Sequence, residues 1–137
     1  MTELPEFDHE KLKVYQASIG FIEWRSKVVT FSKSFKDVYN QLDRAAISIP
    51  LNIAEGNGKS SLKDRRRFFE IARGSALECA ACLDVLYATG KLNSESTKAG
   101  KSLLIEIVKM LSRLVTNLST QIKEDKPEYE IEAESSM

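Results

Sequence analysis

Apolar side chains recur three or four positions apart through most of the chain, while period-two alternation bounded by turn residues is scarce. A helix of 3.6 residues per turn gathers that spacing into one stripe, whereas a strand would scatter it over both faces. The fold class that follows is all-α. With 137 residues, 42% of them hydrophobic, the chain can bury one core and is too short for two large domains. The expected divisions are an N-terminal extension over residues 1–8, a four-helix bundle over 9–123 and an acidic, mobile tail over 124–137.

The first helix is expected from His9 to Phe31, with Leu12, Tyr15, Ile19, Ile22 and Val29 on one stripe and Val14, Phe21 and Val28 beside it. The second begins near Lys36 and carries Val38, Tyr39, Leu42, Ala45, Ala46, Ile49 and Ile53. Pro50 interrupts that run. Its ring nitrogen cannot donate to the Ala46 carbonyl, and because the stripe resumes in phase at Ile53 a kink is expected there, not a break. Gly56 and Gly58 can take positive φ and end the helix at Gly56-Asn57-Gly58. Ser61 with Asp64 resembles a capping box and starts the third helix, whose seam is Leu62, Phe69, Ala72, Ala76, Cys79, Leu83 and Leu86, up to Gly90. Ser94 is the expected N-cap of the fourth. From Leu103 to Ile122 its apolar arc spans roughly 160°, against about 100° for one core-facing stripe, so burial on two sides is expected and a subunit interface can take the remainder.

Twenty basic residues balance twenty acidic ones, which excludes wholesale coating of nucleic acid or an anionic membrane. The balance conceals an asymmetry. Residues 124–137 hold six acids and one base, so the first 123 residues carry 19 bases and 14 acids. No apolar run reaches the roughly eighteen residues needed to span a bilayer. The polar first ten residues also lack the basic n-region of a secretory signal, so a cytoplasmic protein without membrane association is expected.

Several chemistries can be set aside on spacing. Cys79 and Cys82 lie mid-helix, away from the helix N-terminus after a strand that a thioredoxin-type pair requires, and read as small apolar fillers. His9 is the single histidine, too few for a di-iron bundle, and a histidine-dependent triad would have to use it. Gly58-Lys59-Ser60 resembles the end of a phosphate-binding loop, yet Ile53 stands where that loop needs its first glycine. The expectation is a protein that is not an enzyme and holds no metal or cofactor.

The run from Lys59 to Arg67 is different. Lys59, Lys63, Arg65, Arg66 and Arg67, with Arg73 beyond, place cations about the start of the third helix, where they can meet a phosphate backbone. The bland counterpart is a solvated face on which Arg66 pairs with Glu70 at i+4. Phe68 and Phe69 are expected in the core, which leaves little aromatic interleaving. Asn52, Glu55, Arg73 and Glu78 lie at or beside the seams of the second and third helices, where they could form a buried polar network with a structural role.

The segment Gln41-Leu42-Asp43-Arg44-Ala45-Ala46-Ile47-Ser48-Ile49-Pro50-Leu51-Asn52-Ile53-Ala54-Glu55-Gly56 resembles the 23S rRNA intervening-sequence protein family, also called four-helix bundle proteins. Asp64 and the stretch Arg67-Phe68-Phe69-Glu70-Ile71-Ala72-Arg73-Gly74-Ser75-Ala76-Leu77-Glu78 match the second part of its pattern in order. The resemblance runs from about Phe7 to Ile122. It implies an up-down antiparallel four-helix bundle and a homopentamer of bacterial origin. It also returns to Pro50, Asn52, Glu55, Gly56, Asp64, Gly74 and Glu78 as structural motif positions, Gly74 being expected to let helices approach closely. The related accessory variability determinants of diversity-generating retroelements form similar pentamers whose basic surfaces contact a reverse transcriptase and nucleic acid. Two functions from different classes follow: binding of structured RNA or an RNA-binding protein through the basic run, or a protein scaffold without nucleic-acid affinity.

Overall fold

The computed structural model describes residues 6–125, so the first five residues and the tail beyond Asp125 lie outside the described residues. A 3-10 turn over Asp8–Lys11 precedes four helices: α1 (Lys13–Val28), α2 (Lys36–Asn57), α3 (Leu62–Ala88) and α4 (Ser94–Asp125). Among the described residues there is no strand. The fold is an all-α four-helix bundle.

Contacts between the helices run in opposite directions along each neighbouring pair. The end of α1 meets the start of α2 through Arg25 and Asp43. Gln41 bonds Glu78 and Ser48 bonds Ser75, so α2 and α3 run antiparallel. Asp84 pairs with Lys101, and farther down Arg73 and Arg66 reach Ser112 and Ser119, so α4 reverses α3. α1 closes the ring against α2 and α4.

The expected first helix is shorter than its apolar pattern. Leu12 adopts extended backbone (φ −71°, ψ 129°) and separates the 3-10 turn from α1. At the other end Val29 is extended too (φ −89°, ψ 113°), consistent with the β-branched run Val28-Val29-Thr30. The buried row is Val14, Ser18 and Phe21, rotated from the expected one. Leu12, Tyr15 and Ile22 are only partly buried against the core, because α1 packs between two neighbours and presents a row to each. Ser18 is tolerated inside because its hydroxyl donates to the Tyr15 carbonyl at 2.6 Å.

α2 continues as helix through Pro50, which is buried. The seams of α2 and α3 hold as expected, with Leu42, Ile49, Ile53, Ala72, Ala76, Cys79, Leu83 and Leu86 all enclosed. The wide arc of α4 is used on both sides. Leu104, Ile107 and Leu111 fill the centre while Val108, Met110 and Leu114 pack at the margins.

Caps and glycines required correction. Ser61 caps α3 by accepting from the Asp64 N–H, but α4 is capped by Asn93, whose Oδ1 accepts from the Ser96 N–H at 2.7 Å. Neither Gly56 nor Gly58 has positive φ; Gly90 alone does, at 74°, turning the chain after α3. Gly56 serves packing instead, since a Cβ there would lie 3.0 Å from Phe68 Cβ and from the Phe69 ring. Gly74, expected at a close approach, faces open space, whereas a Cβ at Gly100 would lie within 3.0 Å of both the Trp24 ring and Leu83.

Gly100→Ala is therefore expected to lower unfolding free energy by about 1–3 kcal/mol through overpacking. Gly74→Ala should raise it by about 0.5–1 kcal/mol by removing glycine from a helix interior. Urea unfolding of the two variants beside the parent checks both signs.

Candidate functional site

The six cations of the basic run do not share one surface. α2 ends at Asn57 and the chain re-enters helix at Leu62, so the first turn of α3 sits against the last turn of α2. Arg65 points into that junction. Its Nη1 donates to the carbonyl oxygens of Asn57 at 2.8 Å and Lys59 at 3.4 Å, and its guanidinium lies 6.0 Å from the Phe69 ring centroid. Those carbonyls lie at and just after the end of α2, where a cation also complements the helix dipole. Arg65 is therefore a structural residue.

Arg66 and Arg73 lean the other way, toward α4. Arg66 lies 3.7 Å from Glu70 and donates to Ser119 at 3.3 Å, and Arg73 donates to Ser112 at 3.4 Å. Lys59 and Arg67 face the α2 side and converge on one ring: the Lys59 ammonium is 5.2 Å and the Arg67 guanidinium 4.6 Å from the centroid of Phe68. Lys63 is exposed and makes no ion pair among the described residues. Lys59 also touches Glu55 at 3.5 Å, an exposed contact of little worth.

Phe69 is core, 1% exposed. Phe68 is not; it is half-buried and lies outside the apolar cluster. The sequence pattern alone assigns both to the interior, yet they are separated by 100° around α3, and α2 packs on the ring of Phe69 while it meets Phe68 at its Cβ.

The polar residues expected to form one buried network separate into local pairs. Asn52 Nδ2 donates to the Ser48 carbonyl and hydroxyl at 2.8 and 2.9 Å, and Ser75 joins the same hydroxyl at 2.8 Å. Glu78 accepts from Gln41 at 2.7 Å on the surface. Glu55 pairs with Lys59 and Arg73 with Ser112, so neither belongs to the Asn52 cluster. Ser48 and Ser75 complete the cluster, and nothing in their spacing announced them. Asp64 serves at the α3 cap through its N–H.

Cys79 and Cys82 are both free and buried. Burial, followed by the nearby Cys82 and Glu78, raises the Cys79 thiol to about 12, and burial raises Cys82 as well. Neither has the lowered pKa of a reactive thiol. Among the described residues no three His, Cys, Asp or Glu side chains gather where they could hold a metal ion. Nor, among the described residues, is any helix long and apolar enough to cross a membrane.

The family model described as 23S rRNA-intervening sequence protein matches residues 10–113. No curated protein matches the chain.

Arg65→Met, which keeps the stem and removes the donors, should cost about 1–2 kcal/mol of stability, whereas Arg67→Met should stay within about 0.5 kcal/mol; thermal unfolding separates them. Native protein at pH 8 should leave Cys79 unmodified by iodoacetamide, and denaturation should expose both thiols, a contrast intact mass reads directly. A thiol whose folded pKa is raised contributes stability that is complete below its unfolded value, near 9. That contribution is lost as pH climbs from there toward 12, so Cys79→Ala should flatten the alkaline loss.

Proposed function

The chain belongs to the 23S rRNA-intervening sequence protein family, and on that premise we propose that it is a non-enzymatic, homopentameric bundle of the bacterial cytoplasm that binds structured RNA, or an RNA-binding protein, through the start of α3. The observation that carries this reading is the set of exposed or half-exposed cations Lys59, Lys63, Arg66 and Arg67 at one end of the bundle. Among the described residues only Arg66 and Lys59 of these four have acidic partners, and both are surface pairs. Such pairs are weak enough for phosphate to displace. Arg65 is assigned to the fold and Arg73 to the contact with α4, so the interface is narrower than the six-residue run.

Self-association draws support from a separate feature. Ile47 and Leu51, one turn apart on α2, and Leu77 and Ile105, which line one groove between α3 and α4, are each at least 50% exposed, and paired exposed apolar side chains of this kind suit a partner surface. The same surfaces favour the second reading, a scaffold that recruits protein and ignores RNA.

Light scattering should give a mass five times 15.4 kDa. Titration of labelled structured RNA at two salt concentrations should show affinity falling steeply with salt. The variant Lys63→Glu/Arg66→Glu/Arg67→Glu leaves the Arg65 junction intact and should weaken binding at least tenfold, reducing the salt slope by roughly two to three units. A pentamer indifferent to RNA and to the triple substitution would establish the scaffold instead.

A further inference from the structure

The interleaving of aromatic and basic residues that is missing along the chain is assembled in space. Asp8 Oδ2 accepts from Asn57 Nδ2 at 3.0 Å, which pins the N-terminal 3-10 turn to the end of α2. That turn is closed on itself, because the Glu10 carboxylate accepts from the Phe7 N–H. Phe7 is thereby held on the bundle although it is 70% exposed. Its ring stacks on His9 at 5.9 Å and 11° between planes, and His9 in turn meets the edge of Tyr15 at 4.8 Å. His9 and Lys59 then line one concavity with Leu51, Ala54, Glu55 and Gly58. Its volume is about 400 Å³, within the range of small-ligand clefts. Beyond Lys59 come Phe68 and Arg67, both cations sharing that ring.

The order across this end is therefore Phe7, His9, Lys59, Phe68, Arg67. An exposed phenylalanine ring with an aromatic neighbour behind it has apolar area that water solvates poorly, and a purine or pyrimidine face covers it without sequence preference. Ammonium and guanidinium groups alongside meet the phosphates on either side of such a base. A continuous duplex cannot use the arrangement, because its bases are stacked on one another and only its backbone is presented.

We propose that this end of the bundle is a site for unpaired nucleotides of RNA, with a base stacked on the Phe7–His9 pair and flanking phosphates on Lys59 and Arg67. Phe68 is a positioning residue: its ring holds the two cations side by side. The site rests on the RNA-binding reading above and narrows it to single-stranded segments such as loops and bulges. Glu55, the one acid among the described residues that line the concavity, competes with phosphate for Lys59.

The test is fluorescence anisotropy on the full chain with two probes, a labelled single-stranded oligonucleotide and a perfect RNA duplex of equal length, each at low and moderate salt. The parent should prefer the single strand. Phe7→Ala should weaken single-strand binding by roughly tenfold, within the range that base stacking supplies, and leave the duplex unaffected, while Phe7→Trp should retain the affinity. Phe68→Leu keeps the bulk and removes the π face; it should weaken both probes by loosening the cations, with the helical spectrum unchanged. Glu55→Gln should tighten binding. Salt-sensitive binding that is equal for both probes, falls with Lys63→Glu/Arg66→Glu/Arg67→Glu and ignores Phe7→Ala would overturn this site and leave the broader reading standing. Absence of salt-sensitive binding to either probe would overturn both.

Discussion

The approach of α2 to α3 at Gly56 sets the geometry of the bundle's cationic end. No side chain fits between the helices there, because even a Cβ would press on Phe68 and Phe69 at about 3.0 Å. That contact fixes which side of α3 is covered. Phe69 goes into the core and Phe68 stays at the edge; Arg65 turns inward to the carbonyls that close α2, and Arg67 turns outward. The adjacent Phe68 and Phe69 thus acquire opposite roles from a rotation of about 100° about the helix axis, and Arg65 and Arg67, two residues apart, from one of about 200°. The division of the basic run into a structural arginine, two arginines leaning on α4 and a cluster around Phe68 follows from it.

Elsewhere the bundle depends on helices that are apolar on more than one side. α4 and α1 each touch two neighbours, which accounts for the breadth of their apolar arcs and for the burial of Gly100 beneath Trp24. The close contact that a glycine permits is found there and at Gly56, whereas Gly74 lies on an open face. Apolar residues remain at the surface on all four helices, and these positions are where a bundle of this size would meet copies of itself or another protein.

Polar groups inside the bundle are handled locally, except the buried Tyr39 hydroxyl, which has no hydrogen-bond partner among the described residues. Ser18 satisfies its hydroxyl on its own helix, and Ser48, Asn52 and Ser75 form a small cluster across α2 and α3. Short side chains can do this without charge, so the core avoids the desolvation that a buried Arg–Glu network would impose. Charged Glu55, Glu78 and Arg73 accordingly stay at the rims.

The sequence by itself determined the helical class, the number of helices, the seams of α2 and α3 and the cap at Ser61, because each depends on spacing within a few residues and spacing is written in the chain. It also determined that the two cysteines would be fillers, since their position mid-helix decides their chemistry. Tertiary structure decided what spacing cannot express: that Val14, Ser18 and Phe21 form the inner row of α1, that Gly100 and not Gly74 is the tight contact, and that Arg65 belongs to the fold. It alone brought His9, with Phe7 stacked on it, into one concavity with Lys59, roughly fifty residues away. Proximity across helices depends on how each is rotated about its axis, and that rotation is set jointly by all the neighbours it must pack against.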